Sequence, residues 1–182
     1  MSESITVEGR VAQTPVDDFS DCHMGILRGL QAFADLPVLQ DAALRAKAVA
    51  DQTLKLFDEA VLEHHAQEEE ELFRAVIRSA RAGTERELAK ALVVRLTEEH
   101  RELEDLWKRL RPEVKAVSEG RHAQMRQPAV DLLVEVYAAH ARSEEREFLP
   151  LAQEILGRDD NHMAALGMSL HMRHVRVPSG YI

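Results

Sequence analysis

Apolar residues recur every three or four positions along most of the chain, which is the periodicity of an amphipathic helix. Four such stretches follow one another: one beginning near Ser20, one at about 41–80, one opening at Thr84, and one at about 128–156. Each places a stripe of apolar side chains on one face, and the connections between them are short. The pattern therefore predicts an all-α protein with an up-down-up-down four-helix bundle.

Proline and glycine mark the expected boundaries of these helices. Pro37 is interpreted as the first connection, and Gly83 lies where a C-terminal cap belongs. The sequence Thr84-Glu85-Arg86-Glu87 matches a capping box that would open the third helix. We expect Pro112 to kink or end that helix and Pro150 to bend the fourth.

At 182 residues the chain is long enough to bury one proper core. We predict an extended leader at 1–17 and a four-helix bundle at 18–157. A short extra C-terminal helix at about 160–173 and a tail would then complete a last segment at 158–182.

Composition narrows the function classes. A single cysteine excludes a disulfide framework or a Cys-rich metal site, and it fits a reducing, cytoplasmic setting. The net charge of −9 argues against nucleic acid or an anionic membrane as partner. We find no signal peptide and no apolar run long enough to span a bilayer. The pattern does not decide between a monomer and a homodimer.

The second and fourth helices contain the same phrase, EHHAQEEEELF and AHARSEEREFLP. Both have a His, then two consecutive Glu after three intervening residues, and finally a pair of large apolar residues. A further His precedes each copy at nearly equal distance, 41 positions before His64 and 40 before His140. The repeat therefore predicts two similar helical hairpins.

This repeat points to a metal site. Residues at i and i+4 lie on one helix face, so the His and Glu of each copy can point toward one ion. Burying such polar groups inside a bundle costs several kcal/mol unless they are compensated, and divalent cations would compensate them. The predicted ligands are His23, His64, Glu68, His100, His140 and Glu144.

The register needs a choice, because His65 and Glu69 are also four positions apart. Aligning the two copies by their trailing apolar pairs selects His64 and Glu68. We therefore place His65 off the inward stripe, as a surface residue or one that supports a ligand. Glu69 and Glu145 are expected to orient ligating rings.

With these motifs the chain resembles the hemerythrin-like, HHE cation-binding domains over about residues 18–157. The resemblance implies a pair of non-haem iron ions with an oxo, hydroxo or water bridge. It implies His23, His64 and Glu68 on one iron, and His100, His140 and Glu144 on the other. The two Glu would bridge the pair, and zinc or manganese could substitute for iron.

One departure affects the implied function. Oxygen-carrying hemerythrins use a fifth His four residues after the one corresponding to His100, where this chain has Glu104. This position is either an additional oxygen ligand or a solvated helix residue. An oxygen ligand there would weaken the case for reversible oxygen carriage.

We expect a centre that binds or senses a small ligand such as oxygen or nitric oxide, or that senses iron status. The motive for this expectation is a closed cluster with no evident segment that would build a pocket for an organic substrate. No phosphate loop or nucleophile elbow is found in the sequence. Two alternatives remain: an iron-handling or peroxide-decomposing stress enzyme, and a structural metal bundle that acts as an interaction module.

Overall fold

A computed structural model of the chain describes residues 15–158. Most of the predicted leader, the predicted short helix at 160–173 and the tail lie outside the described residues. Within residues 15–158 every regular element is helical, which confirms the predicted all-α class. The chain divides between Leu44 and Arg45 into two units, and each is described by itself.

The described range contains α-helices interrupted by short π-helical segments. In chain order these are α1 (Pro15–Ala34), α2 (Leu36–Lys55), π1 (Leu56–Val61), α3 (Leu62–Gln67), π2 (Glu68–Leu72), α4 (Phe73–Ser79), α5 (Thr84–Ser118), α6 (Gln127–Ser143), π3 (Glu144–Phe148) and α7 (Leu149–Leu156). None of the helices in this range combines the length and the apolar character that crossing a membrane requires.

The first unit contains α1 and the beginning of α2, which are separated by Asp35 alone. Both helices start earlier than predicted, because α1 includes Pro15 and α2 includes Pro37. The first N–H groups of a helix have no intrahelical acceptor, so a proline in the first turn removes no hydrogen bond. The first interruption is therefore at Asp35, and the prediction that placed it at Pro37 is corrected by two residues.

In the second unit three long helices follow one another with short connections. The first runs without a break from the part of α2 after Leu44 through π1, α3, π2 and α4, the second is α5, and the third runs from α6 through π3 to α7. Gly83 and Gly120 lie in the connections with φ angles of 99° and 71°, a left-handed backbone that favours glycine. Four- and eight-residue connections at 80–83 and 119–126 make neighbouring helices antiparallel.

Two apolar clusters form the core of this unit. One surrounds Phe73 and Phe148, which are 1% and 0% exposed and pack edge to face. The other surrounds Trp107, which stacks on Phe57 with ring centroids 4.4 Å apart. In α5, His100 lies between the residues of the two clusters, so a polar layer separates them.

The inward stripe predicted for the helix that opens at Thr84 consists of Leu92, Leu96, His100, Leu103, Trp107 and Leu110. All six side chains are buried in α5, which confirms this prediction. Pro112 does not end the helix, which continues to Ser118. The predicted capping box is wrong, because Gly83 is the N-cap residue and no side chain caps it. The Glu85 carboxylate instead accepts a hydrogen bond from the backbone N–H of Arg81.

The carboxylate of Asp58 in π1 binds both the buried Trp107 and Arg111. The Trp107 indole N–H donates to Asp58 Oδ1 at 2.9 Å, and Arg111 donates to both oxygens of the same carboxylate. The hydrogen bonds from Arg111 hold the pKa of Asp58 below its usual range. Because Trp107 is 2% exposed, its N–H would have no water to replace Asp58.

We expect Asp58→Ala to lower the free energy of unfolding by about 1–3 kcal/mol, the cost of leaving a buried donor without an acceptor. Urea denaturation followed by circular dichroism measures this. The control is Asp105→Ala, which removes an exposed ion pair with Lys108 and should change stability by less than about 1 kcal/mol. Equal losses in the two variants would contradict the assignment.

Candidate metal centre

Three helices of the second unit bring imidazoles and carboxylates together in the polar layer. His65 and Glu68 lie at α3 and the start of π2, His100 lies in α5, and His140 and Glu144 lie at the junction of α6 and π3. All five side chains are buried, with exposures between 0% and 6%. Their concentration in a layer between apolar clusters is unusual, because charged and polar groups are seldom buried without compensation.

Three imidazoles form the first group of this centre. A ring nitrogen from each of His65, His100 and His140 lies within 4.8 Å of the others. The rings of His65 and His100 are stacked 3.9 Å apart and 4° from parallel. The ring of His140 is turned by 74° from His65, at a centroid distance of 5.6 Å. The three rings therefore converge on one volume from three helices.

Two carboxylates and one imidazole form the second group. His64, Glu68 and Glu144 each offer a ligand atom within 4.8 Å of the others. His64 Nε2 lies 3.1 Å from Glu68 Oε1, and the His64 side chain is 51% exposed. Glu68 also connects the two groups, because its Oε2 lies 3.4 Å from His100 Nε2. The groups are thus adjacent, with Glu68 between them.

The ring of His100 is held by a carboxylate on its outer side. Its Nδ1–H donates to Glu69 Oε1 at 2.9 Å, and Glu69 in turn accepts from Arg101. This interaction fixes the Nδ1 tautomer and leaves Nε2 facing Glu68. The predicted role of Glu69 as a residue that orients a ring is confirmed.

The ring of His140 has a similar support. Its Nδ1–H donates to Glu99 Oε2 at 2.9 Å, and Arg95 lies 3.6 Å from the same carboxylate. Arg95 also binds Glu147 at 2.8 Å. The prediction that Glu145 would serve here is wrong, because Glu145 is exposed and Glu99 takes its place. Glu99 precedes His100 in α5, so only the packing of two helices brings it to His140.

Several buried polar atoms of the centre have no hydrogen-bond partner among the described residues. These are Nδ1 and Nε2 of His65, Oε2 of Glu68, Nε2 of His100 and Oε1 of Glu144. A buried polar atom without a partner costs about 1–3 kcal/mol. All of these atoms are of types that bind divalent cations, so the donor set fits a metal centre.

Protonation in the metal-free protein follows from the same burial. Burial and the neighbouring Glu68 raise the pKa of Glu144 to about 9. Burial would also raise the pKa of Glu68, but His100 and Glu144 outweigh it and hold that pKa below its usual value. Burial and the adjacent His100 lower the pKa of His65 to about 3, so its ring is neutral, the form that ligates metals. One proton therefore compensates the two carboxylates when no cation does.

Both copies of the repeated phrase change to π-helix at the same point. π2 begins at Glu68 and π3 begins at Glu144, and each extends over five residues. A π-helical turn holds an extra residue and is found most often at functional sites. The sequence repeat is therefore also a repeat of local backbone structure, which supports the two-hairpin interpretation.

The structure brings five of the six predicted ligands into this centre: His64, Glu68, His100, His140 and Glu144. The sixth, His23, lies on α1 in the first unit, and its side chain is exposed there. Its role as a ligand stays a prediction. The carboxylate of Glu104 accepts a hydrogen bond from Arg101 at 2.6 Å, so this residue forms a surface ion pair.

The expectation that His65 lies off the inward stripe is wrong. The structure buries it at 1% exposure, in the centre and not at the surface. An α-helix turns by about 100° per residue. Relative to the direction of Val61, His64 therefore points roughly 60° to one side and His65 roughly 40° to the other, so periodicity hardly distinguishes them. The alignment of the two copies favoured His64, but π1, just before this pair, has no counterpart before His140. A π turn changes the direction of the residues that follow it.

Comparison with known proteins gives one match. The family model "Hemerythrin HHE cation binding domain" matches residues 14–152. No curated protein and no solved structure is significantly similar to the chain. The matched family and the His/Glu cluster together indicate a metal-binding protein.

The raised pKa of Glu144 predicts how the stability of the metal-free protein depends on pH. Between about pH 4.5 and 9 the folded protein keeps a proton that the unfolded chain releases. The free energy of unfolding should therefore fall as pH rises through this window. Urea titrations at several pH values measure the slope. Glu144→Gln, which cannot ionise, should flatten it, and an unchanged slope in this variant would contradict the assignment.

The support of His140 predicts a loss of metal affinity in Glu99→Ala. Removing a carboxylate that orients a ligating ring costs roughly 10–100-fold in affinity. Competition with a chromophoric chelator measures the dissociation constant. The control is Glu98→Ala, because Glu98 is the exposed neighbour of Glu99 and should bind metal as the wild type does. Equal affinities in the two variants would remove the role given to Glu99.

Proposed function

This chain belongs to the hemerythrin HHE cation-binding domain family, and we propose that it is a di-iron protein that binds a small diatomic ligand. The observation that carries the proposal is the juxtaposition of two ligand groups through Glu68. One group contains the imidazoles of His100 and His140, and the other is His64 with the carboxylates of Glu68 and Glu144. Two groups sharing a carboxylate suit two ions that lie close together.

The donor types favour iron. Imidazole and carboxylate without thiolate suit iron, manganese or zinc. Zinc prefers a closed tetrahedral site, whereas the carboxylate of Glu68, which lies next to both groups, suits ions that accept more ligands. When bound, reduced iron supplies an open coordination position and an electron for a ligand such as oxygen or nitric oxide.

A cavity beside the carboxylates supports a small ligand. It has a volume of about 280 Å³, and His64, Glu68, Glu144, Tyr137 and Leu149 are among the residues that line it. This volume lies just below the range of about 300–1,000 Å³ for pockets that bind organic molecules. The half-exposed His64 places the cavity within reach of solvent. A diatomic molecule fits here more readily than a large substrate.

The lining of the cavity would bind and shield such a ligand. Leu72 and Leu149 give it apolar walls that limit access of water. Burial, with the carboxylates of Glu68 and Glu144, raises the pKa of Tyr137, so its phenol stays protonated and can donate a hydrogen bond. The cavity thus offers a neutral donor at the side of the metal centre.

His23 is proposed as a further ligand, on the strength of its position before the first repeat copy. Metal analysis of His23→Ala, set against His171→Ala in the C-terminal segment, tests this. Loss of metal in the first variant alone supports the proposal, and equal metal content in both removes it.

Filling the cavity should separate ligand binding from metal binding. We expect Leu149→Trp to keep two irons per chain but to weaken nitric oxide binding about tenfold or more, because overpacking costs about 1–3 kcal/mol. Absorption and electron paramagnetic resonance spectra of the anaerobically reduced protein measure the titration. The control is Leu132→Trp, since Leu132 lines a different cavity.

The outcomes distinguish the proposal from its alternatives. Spectra of the loaded wild type that do not change with oxygen or nitric oxide would overturn gas binding. Steady oxygen evolution from hydrogen peroxide, lost in His140→Ala, would instead favour an enzyme. A large rise in melting temperature on loading, with no ligand response, would favour a structural metal bundle.

A further inference from the structure

We infer that His65 is a metal ligand of this centre and supplies the third imidazole beside His100 and His140. This inference rests on the proposed function, since it presumes that the centre binds metal. It adds a residue that the repeat of the sequence does not select. The described residues would then offer four imidazoles and two carboxylates: His64, His65, His100, His140, Glu68 and Glu144.

His65 is buried without any hydrogen bond to its ring. Its side chain is 1% exposed, and both of its ring nitrogens lack a partner among the described residues. Buried polar side-chain atoms in folded proteins nearly always have a partner. A ring used only for packing would be replaced at lower cost by an apolar residue of similar size, because it would leave no nitrogen unpaired.

The neighbouring rings of His100 and His140 are oriented so that each has one nitrogen left for a cation. Carboxylates hold the Nδ1 atoms of His100 and His140, so the remaining nitrogen of each ring, Nε2, is available to a cation. A nitrogen of His65 lies within 4.8 Å of a nitrogen of each of these rings. Three imidazoles on three helices thus offer ring nitrogens close enough to one another to ligate a single ion.

His65 and its neighbour in sequence, His64, differ in exposure and in the groups that they face. His64 is 51% exposed and lies beside the carboxylates, whereas His65 faces the two buried rings. The two consecutive histidines therefore point to different ligand groups. One helix turn would serve both metal positions, and neither histidine substitutes for the other.

The test compares metal binding in the full-length wild type, His65→Leu, and His122→Leu. His122 is an exposed histidine between α5 and α6, so it controls for the loss of one imidazole. Each protein is loaded anaerobically with Fe(II), and separately with Co(II), whose absorption bands report the ligand set. Metal content, chelator competition and the Co(II) spectrum are measured.

We expect two ions per chain in the wild type and in His122→Leu. His65→Leu should bind one ion at least about tenfold more weakly, because lost support of a ligand already costs that much, and the Co(II) bands should shift. A wild-type spectrum and affinity in His65→Leu would overturn the inference and leave the proposed function intact. A wild type that binds no metal would overturn both.

A second measurement reports on the wild-type protein itself. In wild-type protein labelled with nitrogen-15 in its histidines, Zn(II) should shift one ring nitrogen of His65 in NMR spectra. The signal is assigned by its absence in His65→Gln. A His65 resonance that stays unchanged at two equivalents of Zn(II), while those of His100 and His140 move, would overturn the inference.

Discussion

The desolvation of a layer of imidazoles and carboxylates is the constraint on which this structure depends. Glu68, Glu144 and three histidines are buried between two apolar clusters that would otherwise form one core. Such groups cannot be left uncompensated, so they must share protons, bind hydrogen-bond partners or bind cations. Hydrogen bonds and the raised pKa of Glu144 supply the first two means, and the polar atoms without a partner among the described residues are those that a cation would ligate.

The buried rings of His100 and His140 are held by hydrogen bonds and ion pairs that extend from the layer to the surface. His100 is held by Glu69, and His140 by Glu99, and each carboxylate also contacts an arginine. The arginines lie at the surface, where their charge stays hydrated while it neutralises the carboxylates. The rings are therefore fixed before a cation binds, which lowers the entropy lost on binding.

The π-helical turns affect which side chains face the buried layer. π2 and π3 begin at the two carboxylates that face each other. In a regular α-helix the ladder of backbone hydrogen bonds would set the direction of each side chain after the motif. An extra residue in the turn lets the carboxylate face the layer while the following Phe73 and Phe148 still reach their cluster.

The sequence by itself determined the helical class, the stripe of α5 and five predicted ligand residues that the structure brings together, because period and motif spacing are properties of a single helix. It could not select His65 over His64, since both lie near the inward face and π1 is not visible in the pattern. It also could not pair Glu99 with His140, 41 positions apart, because that contact joins two helices. Tertiary packing alone decided which neighbouring side chains face the buried layer and which atoms there remain unpaired.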